Sequence, residues 1–174
     1  LPAGAVEARR RIGYLPENYV FYNFFTAPRL LDYFGQLFRI PARERRNKIE
    51  KLMNGLDLWQ SRNLAIGKYS RGMRQRLGLI QALMNDPELL ILDEPTSGFD
   101  PHGRKMVREL LLQRKAEGAT IFLSSHILSE AEAICDHVAI MDRGQLIKQG
   151  ALKDIIGAHI GYEITFCGVE PKVA

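Results

Sequence analysis

Asp93 and Glu94 are the residues of this chain best suited to chemistry: two adjacent carboxylates that directly follow an apolar run at 89–92. Four aliphatic residues in a row read as a strand buried on both faces, and a packed core does not accept two unpaired carboxylates. The pair must therefore sit at the strand's carboxyl end, facing a cleft, which in open α/β sheets is the edge where ligands bind. An Asp in that position can hold Mg²⁺ through a coordinated water, since this ion dehydrates reluctantly, while the adjacent Glu orients or deprotonates a water that attacks a terminal phosphate. The bland alternative is an acidic pair capping a helix in a strand-to-helix loop.

Other candidate groups flank this strand. Ahead of it, Tyr69-Ser70-Arg71-Gly72-Met73-Arg74-Gln75-Arg76 opens a helix. Ser70 and Gly72 lie where unsatisfied backbone N–H groups and the positive end of the dipole point outward together, an arrangement that attracts anions. Simple N-capping by Ser70 is compatible with that role. Behind the strand come Ser97-Gly98-Phe99-Asp100 and then Ser124-Ser125-His126, the last ending a second apolar strand. A lone His there would ordinarily be a satisfied structural residue.

In this order and at this spacing, the elements resemble the helical-domain signature, Walker B strand, D-loop and switch histidine of the ATP-binding cassette (ABC) ATPases. The resemblance implies an ATP- and Mg²⁺-dependent ATPase subunit of a membrane transporter, most like the exporter-type branch, to which the stretch 127–150 is similar. It gives Asp93 to the metal, makes Glu94 and His126 catalytic, and places Glu17, after Gly13-Tyr14-Leu15-Pro16, at the Q-loop position. It also sets Ser70 and Gly72 against the γ-phosphate of a nucleotide held by a second, opposed ABC domain, with Asp100 signalling across that interface. The expected partners are thus a second ABC ATPase domain and a membrane permease subunit, which would hold the protein at the cytoplasmic face of the cell membrane.

The chain departs from the family pattern at four places. Arg71 stands for the first signature glycine, Met73 for the signature glutamine, Glu17 for the Q-loop glutamine and Phe99 for a leucine. A carboxylate at Glu17 adds negative charge near phosphates, which costs energy unless the metal offsets it. In addition, no Gly-x-x-x-x-Gly-Lys-Ser/Thr loop occurs in the 174 residues; Gly67-Lys68-Tyr69 lacks both the upstream glycine and the hydroxyl residue. In the family that loop precedes the segment with which this chain begins. The expectation is an N-terminally truncated piece that does not turn over ATP alone.

The pattern of elements supports an α/β fold, a mostly parallel sheet with helices on both faces and an all-helical insert, and the resemblance implies that it is of the P-loop NTPase-like kind. Strands are expected at 12–15, 89–93, 120–124, 137–141, 145–148 and 162–166, with Asp142-Arg143-Gly144 a hairpin signal. Helices are expected at 28–40, 42–56, 70–85, 101–115 and 128–135. The expected core faces include Leu30, Leu31, Phe34, Leu37 and Phe38 in the first helix, Ile49, Leu52, Met53 and Leu56 in the second, and Leu77, Leu79, Ile80, Leu83 and Met84 in the third. The resulting division is a nucleotide-binding remnant with the Q-loop at 1–27, a helical subdomain at 28–87, the second half of the core at 88–150 and the start of a C-terminal extension at 151–174.

Composition fits a globular domain: 46% hydrophobic, 25% charged and a formal net charge of +4. The basic runs at 9–11 and 43–48 read as solvated faces, without the interleaved aromatics that nucleic-acid contact would need. Two cysteines, Cys135 and Cys167, lack paired metal-ligand spacing and suit a reducing compartment, with buried thiols as the default. No stretch approaches the roughly 18 apolar residues of a membrane span. Two other functions compete: an ABC ATPase acting on nucleic acid or in translation, and a non-catalytic interaction module. Repair and chromosome proteins of the first kind carry a long coiled coil for which 28–87 has no room, whereas tandem translation factors are not excluded.

Overall fold

The computed structural model describes residues 4–156. A short helix, α1 (Gly4–Arg10), leads into β1 (Ile12–Leu15), followed by α2 (Ala27–Leu37), α3 (Ala42–Gly55), two single 3₁₀ turns and α4 (Arg71–Ala82). Then come β2 (Leu89–Asp93), α5 (Pro101–Ala116), β3 (Thr120–Ser124), α6 (Leu128–Ile134), β4 (His137–Asp142), β5 (Gln145–Ala151) and α7 (Leu152–Ile156). The expected strand at 162–166 lies outside the described residues.

β1, β2 and β3 form a parallel sheet in that order, with Leu15 beside Leu92 and Asp93 beside Ser124. β4 and β5 form a separate antiparallel pair. The chain divides into two compact units between Ile134 and Cys135. In the second unit, Asp142 pairs with Gln145 across a two-residue turn whose central residues, Arg143 and Gly144, both have positive φ, 46° and 79°. That is the backbone a tight right-twisted hairpin requires. The pairing runs on to Ala151, three residues beyond the expected strand end.

Helix boundaries follow local chemistry. Ser70 and Asp100 cap α4 and α5, accepting hydrogen bonds from the backbone N–H groups of Met73 at 3.2 Å and Gly103 at 2.7 Å. α2 and α3 each close with a residue of positive φ, Arg39 and Asp57, whose N–H donates back into the last turn together with that of the next residue, Ile40 and Leu58. The core of the first unit joins Leu30 and Leu31 of α2, Met53 of α3, Leu77, Leu79 and Ile80 of α4 and Leu15, Leu90 and Leu92 of the sheet, all buried. Gly13 permits the sheet's closest approach to α4: a Cβ at that position would lie 2.1 Å from the Ala82 carbonyl oxygen.

Three expectations need correction. Leu37 is 55% exposed, because α2 ends there and only its Ala27, Leu30, Leu31 and Gly35 face is buried. β2 is not sealed on both faces: Leu90 and Leu92 are buried, while Leu89 and Ile91 are half-buried. The cause is the other side of the sheet, where Tyr14 and Phe122, which flank Ile91 in register, are 56% and 69% exposed. The thiol-bearing Cys135 is half-buried rather than buried. In the aromatic run after β1, Phe21 is buried, while Tyr22 and Phe24 are exposed with their ring centroids 5.9 Å apart.

Candidate active site at the carboxyl ends of β2 and β3

The parallel register brings the ends of β2 and β3 side by side, and a compact hydrogen-bond network results. Ser124, opposite Asp93, donates through Oγ to Asp93 Oδ1 at 2.5 Å and accepts from the backbone N–H of Glu94 at 3.1 Å. One hydroxyl thus holds both acidic residues. Glu94 sits at the first residue past the strand with φ 48°, a left-handed conformation that a residue with a Cβ adopts at a cost of about 1–2 kcal/mol. Such strain tends to collect at functional sites, where the surroundings enforce it. The turn swings the Glu94 side chain toward β3, where both its oxygens meet His126: Oε1 accepts from the His126 backbone N–H at 3.0 Å, and Oε2 lies 2.9 Å from Nδ1.

This pairing fixes Nδ1 as the donor and leaves the imidazole Nε2 to face a ligand. The ring is 71% exposed while Glu94 is 19% exposed, so the carboxylate is anchored and the imidazole reaches outward. Each carboxylate oxygen has two lone-pair directions, so Glu94 can still accept a proton from a water while it holds the histidine. Asp93 presents one carboxylate, already oriented by Ser124. Among the described residues no group of three or more His, Cys, Asp or Glu side chains could by itself hold a metal. A single oriented carboxylate fits Mg²⁺, which keeps several waters and takes further ligands from phosphates rather than from an all-protein cage.

Glu94 also lines a cleft of about 700 Å³ together with Glu17, Arg71, Arg74, Gln75 and Ser97. The structure therefore brings Glu17, Asp93, Glu94 and His126 to one end of the sheet. Ser70 and Gly72 lie at the amino end of α4, Ser70 exposed and accepting from Met73, and Gly72 placed so that a Cβ there would lie 3.7 Å from the Gly98 carbonyl oxygen. Asp100 is the exposed cap of α5. Arg71, where the family pattern has glycine, turns across the next loop: its Nη2 lies 3.4 Å from Ser97 Oγ, and its stem packs against Gly98. The basic side chain thus leaves the helix end itself uncovered.

Two residues of this site escape sequence reasoning. Ser124 was visible only as a hydroxyl ahead of His126; its bridge depends on the strand register. Gln75 lies inside α4, where the motif offers no reason to single it out, yet its amide reaches the Glu94 turn.

A parallel sheet whose strand ends carry an acid pair, a serine bridge and a histidine, beside a capped helix end, is an α/β arrangement with polar groups set at the edge where such sheets bind ligands. The sequence profile of the family described as ABC transporter matches residues 3–97, more than half of the chain, and the chain belongs to that family. It is 47% identical, over 98% of its own length and 49% of the relative's, to an ABC transporter ATP-binding protein of Synechocystis sp.. Nod factor export ATP-binding protein I of Ralstonia nicotianae is 36% identical over 94% of the chain and 51% of that relative. A solved structure, "Structure of ATP binding subunit of ABC transporter", superposes with a TM-score of 0.80 at 31% identity over 89% of this chain and 65% of that one. The chain spans about half the length of the curated relatives it matches. No helix among the described residues is long and apolar enough to cross a membrane.

Proposed function

We propose that this chain is the signature and Walker B portion of an ATP-hydrolysing subunit that powers transport, with export the favoured direction, through a separate membrane permease. The observation that carries the reading is the interlocked end of β2 and β3, in which Ser124 orients Asp93 while His126 holds both oxygens of Glu94. Asp93 would hold Mg²⁺, which when bound offsets charge on the β- and γ-phosphates of ATP. Glu94 takes the proton of the attacking water, and its left-handed turn directs the carboxylate toward that water. His126 donates or accepts through Nε2 at the γ-phosphate. Glu17, across the cleft, bounds the water's position.

Ser70 and Gly72 act on a nucleotide held by a second copy or a homologous ABC domain, and Asp100 stands near that interface. The exposed aromatic pair Tyr22 and Phe24, with Val20 beside them, is the surface offered to the permease. The protein is thereby peripheral at the cytoplasmic face of the membrane, and nucleic acid is not a partner.

The test uses the polypeptide at the length of its relatives. Purified with Mg²⁺, it should hydrolyse ATP at a rate per subunit that rises with protein concentration as paired subunits form, and it should co-purify with an integral membrane protein encoded nearby. The 174 residues alone should show negligible hydrolysis. A full-length protein without ATP affinity would overturn the reading.

A further inference from the structure

Gln75 is 6% exposed, and both ends of its amide are occupied. Its Oε1 accepts from the Tyr19 hydroxyl at 2.7 Å, and its Nε2 donates to the Glu94 carbonyl oxygen at 3.2 Å and lies 3.5 Å from that of Pro95. Burial pushes the Tyr19 phenol up to about 12, against the downward pull of Arg71 and Arg74, so the hydroxyl keeps the proton that it donates. The two carbonyls can do nothing but accept, so the amide points only one way: nitrogen to them and oxygen to Tyr19. The Glu94 carbonyl also accepts from the Ser97 N–H at 3.1 Å. The turn that carries φ 48° is thus gripped on its carbonyl side by Gln75 and Ser97, and on its N–H side by Ser124.

We propose that Gln75 is a positioning residue for ATP hydrolysis, holding the Glu94–Pro95 turn so that the Glu94 carboxylate faces the attacking water, with Tyr19 anchoring the oxygen end of the amide. The inference rests on the assignment of Glu94 as base in the proposed function. It joins three segments distant in sequence: the loop after β1 that bears Glu17, the interior of the signature helix α4, and the end of β2. A glutamine at this site is required for its two-ended hydrogen bonding rather than its volume. Methionine would fill the same space, leaving the Tyr19 hydroxyl and both carbonyls without this partner.

The experiment compares full-length parent, Gln75→Met, Tyr19→Phe and Glu94→Gln, with active sites counted by bound ATP and melting temperature recorded for each. Gln75→Met should lower kcat per active site about tenfold, as expected for one misplaced hydrogen bond, and leave KM for ATP within about twofold. Tyr19→Phe, which leaves the amide oxygen without its donor and so loosens the grip, should lower kcat about threefold by the same measure. Merely structural roles would lower the melting temperature and the count of active sites while kcat per site stayed at the parent value, and that result would overturn the proposal. If Gln75→Met does not fold, Tyr19→Phe decides alone, and an unchanged kcat there overturns it. Parent turnover abolished by Glu94→Gln, alongside an unaffected Gln75→Met, would leave the proposed function standing and remove this inference. Persistent turnover in Glu94→Gln would remove both.

Discussion

The ends of β2 and β3 and the amino end of α4 both carry groups able to meet phosphate, yet they are built in opposite ways. At the strand ends Asp93, Glu94 and His126 are held by one another and by neighbours from the same chain: Ser124 on Asp93 and on the Glu94 backbone, His126 on the Glu94 carboxylate, Gln75 on the Glu94 carbonyl. At the helix end Ser70 caps its own helix and is otherwise exposed, Gly72 has room around it, and Arg71 folds away onto Ser97. A preorganised network suits a group that must act on a reacting atom without rearranging. An uncovered helix end suits a surface completed by something outside the chain. Under the proposed function, the first region is catalytic machinery assembled in one subunit, and the second is half of a contact.

Gly72→Asp would break the comparison most visibly. A Cβ at Gly72 meets only the Gly98 carbonyl, at an ordinary 3.7 Å, and an acid in the first helical turn favours the helix dipole. The variant should therefore fold at least as stably as the parent, yet lose about a hundredfold or more in full-length turnover by setting a carboxylate against phosphate. Steady-state hydrolysis together with thermal melting checks both halves. Retained turnover would mean that this helix end meets no nucleotide.

Ser124→Ala probes the other region with a smaller expected effect. Both acids lose their shared hydroxyl while remaining in place, so kcat should fall about tenfold with ATP binding nearly unchanged. Ser70→Ala, by contrast, should cost about 1 kcal/mol of stability through the lost cap, read as a drop in melting temperature.

The sequence made some of this legible and hid the rest for physical reasons. Asp93 and Glu94 stood out because carboxylates after an aliphatic run have few places to go, and Ser70 because a hydroxyl ahead of a helix has a local job. Both signals are short-range. The Ser124 bridge needs the parallel register of β2 against β3, and the Gln75 contact needs α4 packed across the end of the sheet; neither is encoded within a few residues. Leu37 misled because helical spacing marks a face but not where the helix stops. β2 misled because an aliphatic run reports how apolar a strand is, and not whether both sides of its sheet are covered.

The smallest expected effect lies in the helical insert, away from both regions. The Arg45 guanidinium, 2.5 Å from Asp32, holds that carboxyl below its ordinary value of 3.8, with help from Gln36. The native state thus binds the proton less readily than the unfolded chain, so the stabilisation is present above pH 3.8 and fades as pH falls through the lowered folded value. Melting temperatures of parent and Asp32→Asn should differ modestly near neutral pH and converge in acid. The half-exposed position of the pair keeps the difference small.

The central claim, that the Glu94 carboxylate is the base and not a structural cap, is tested most directly by single-turnover hydrolysis in full-length Glu94→Gln. The amide keeps the size of the side chain and can still face His126, but it cannot take a proton from water. The account predicts ATP bound with near-parent affinity and cleavage slowed by at least about a hundredfold. Cleavage at the parent rate would contradict it.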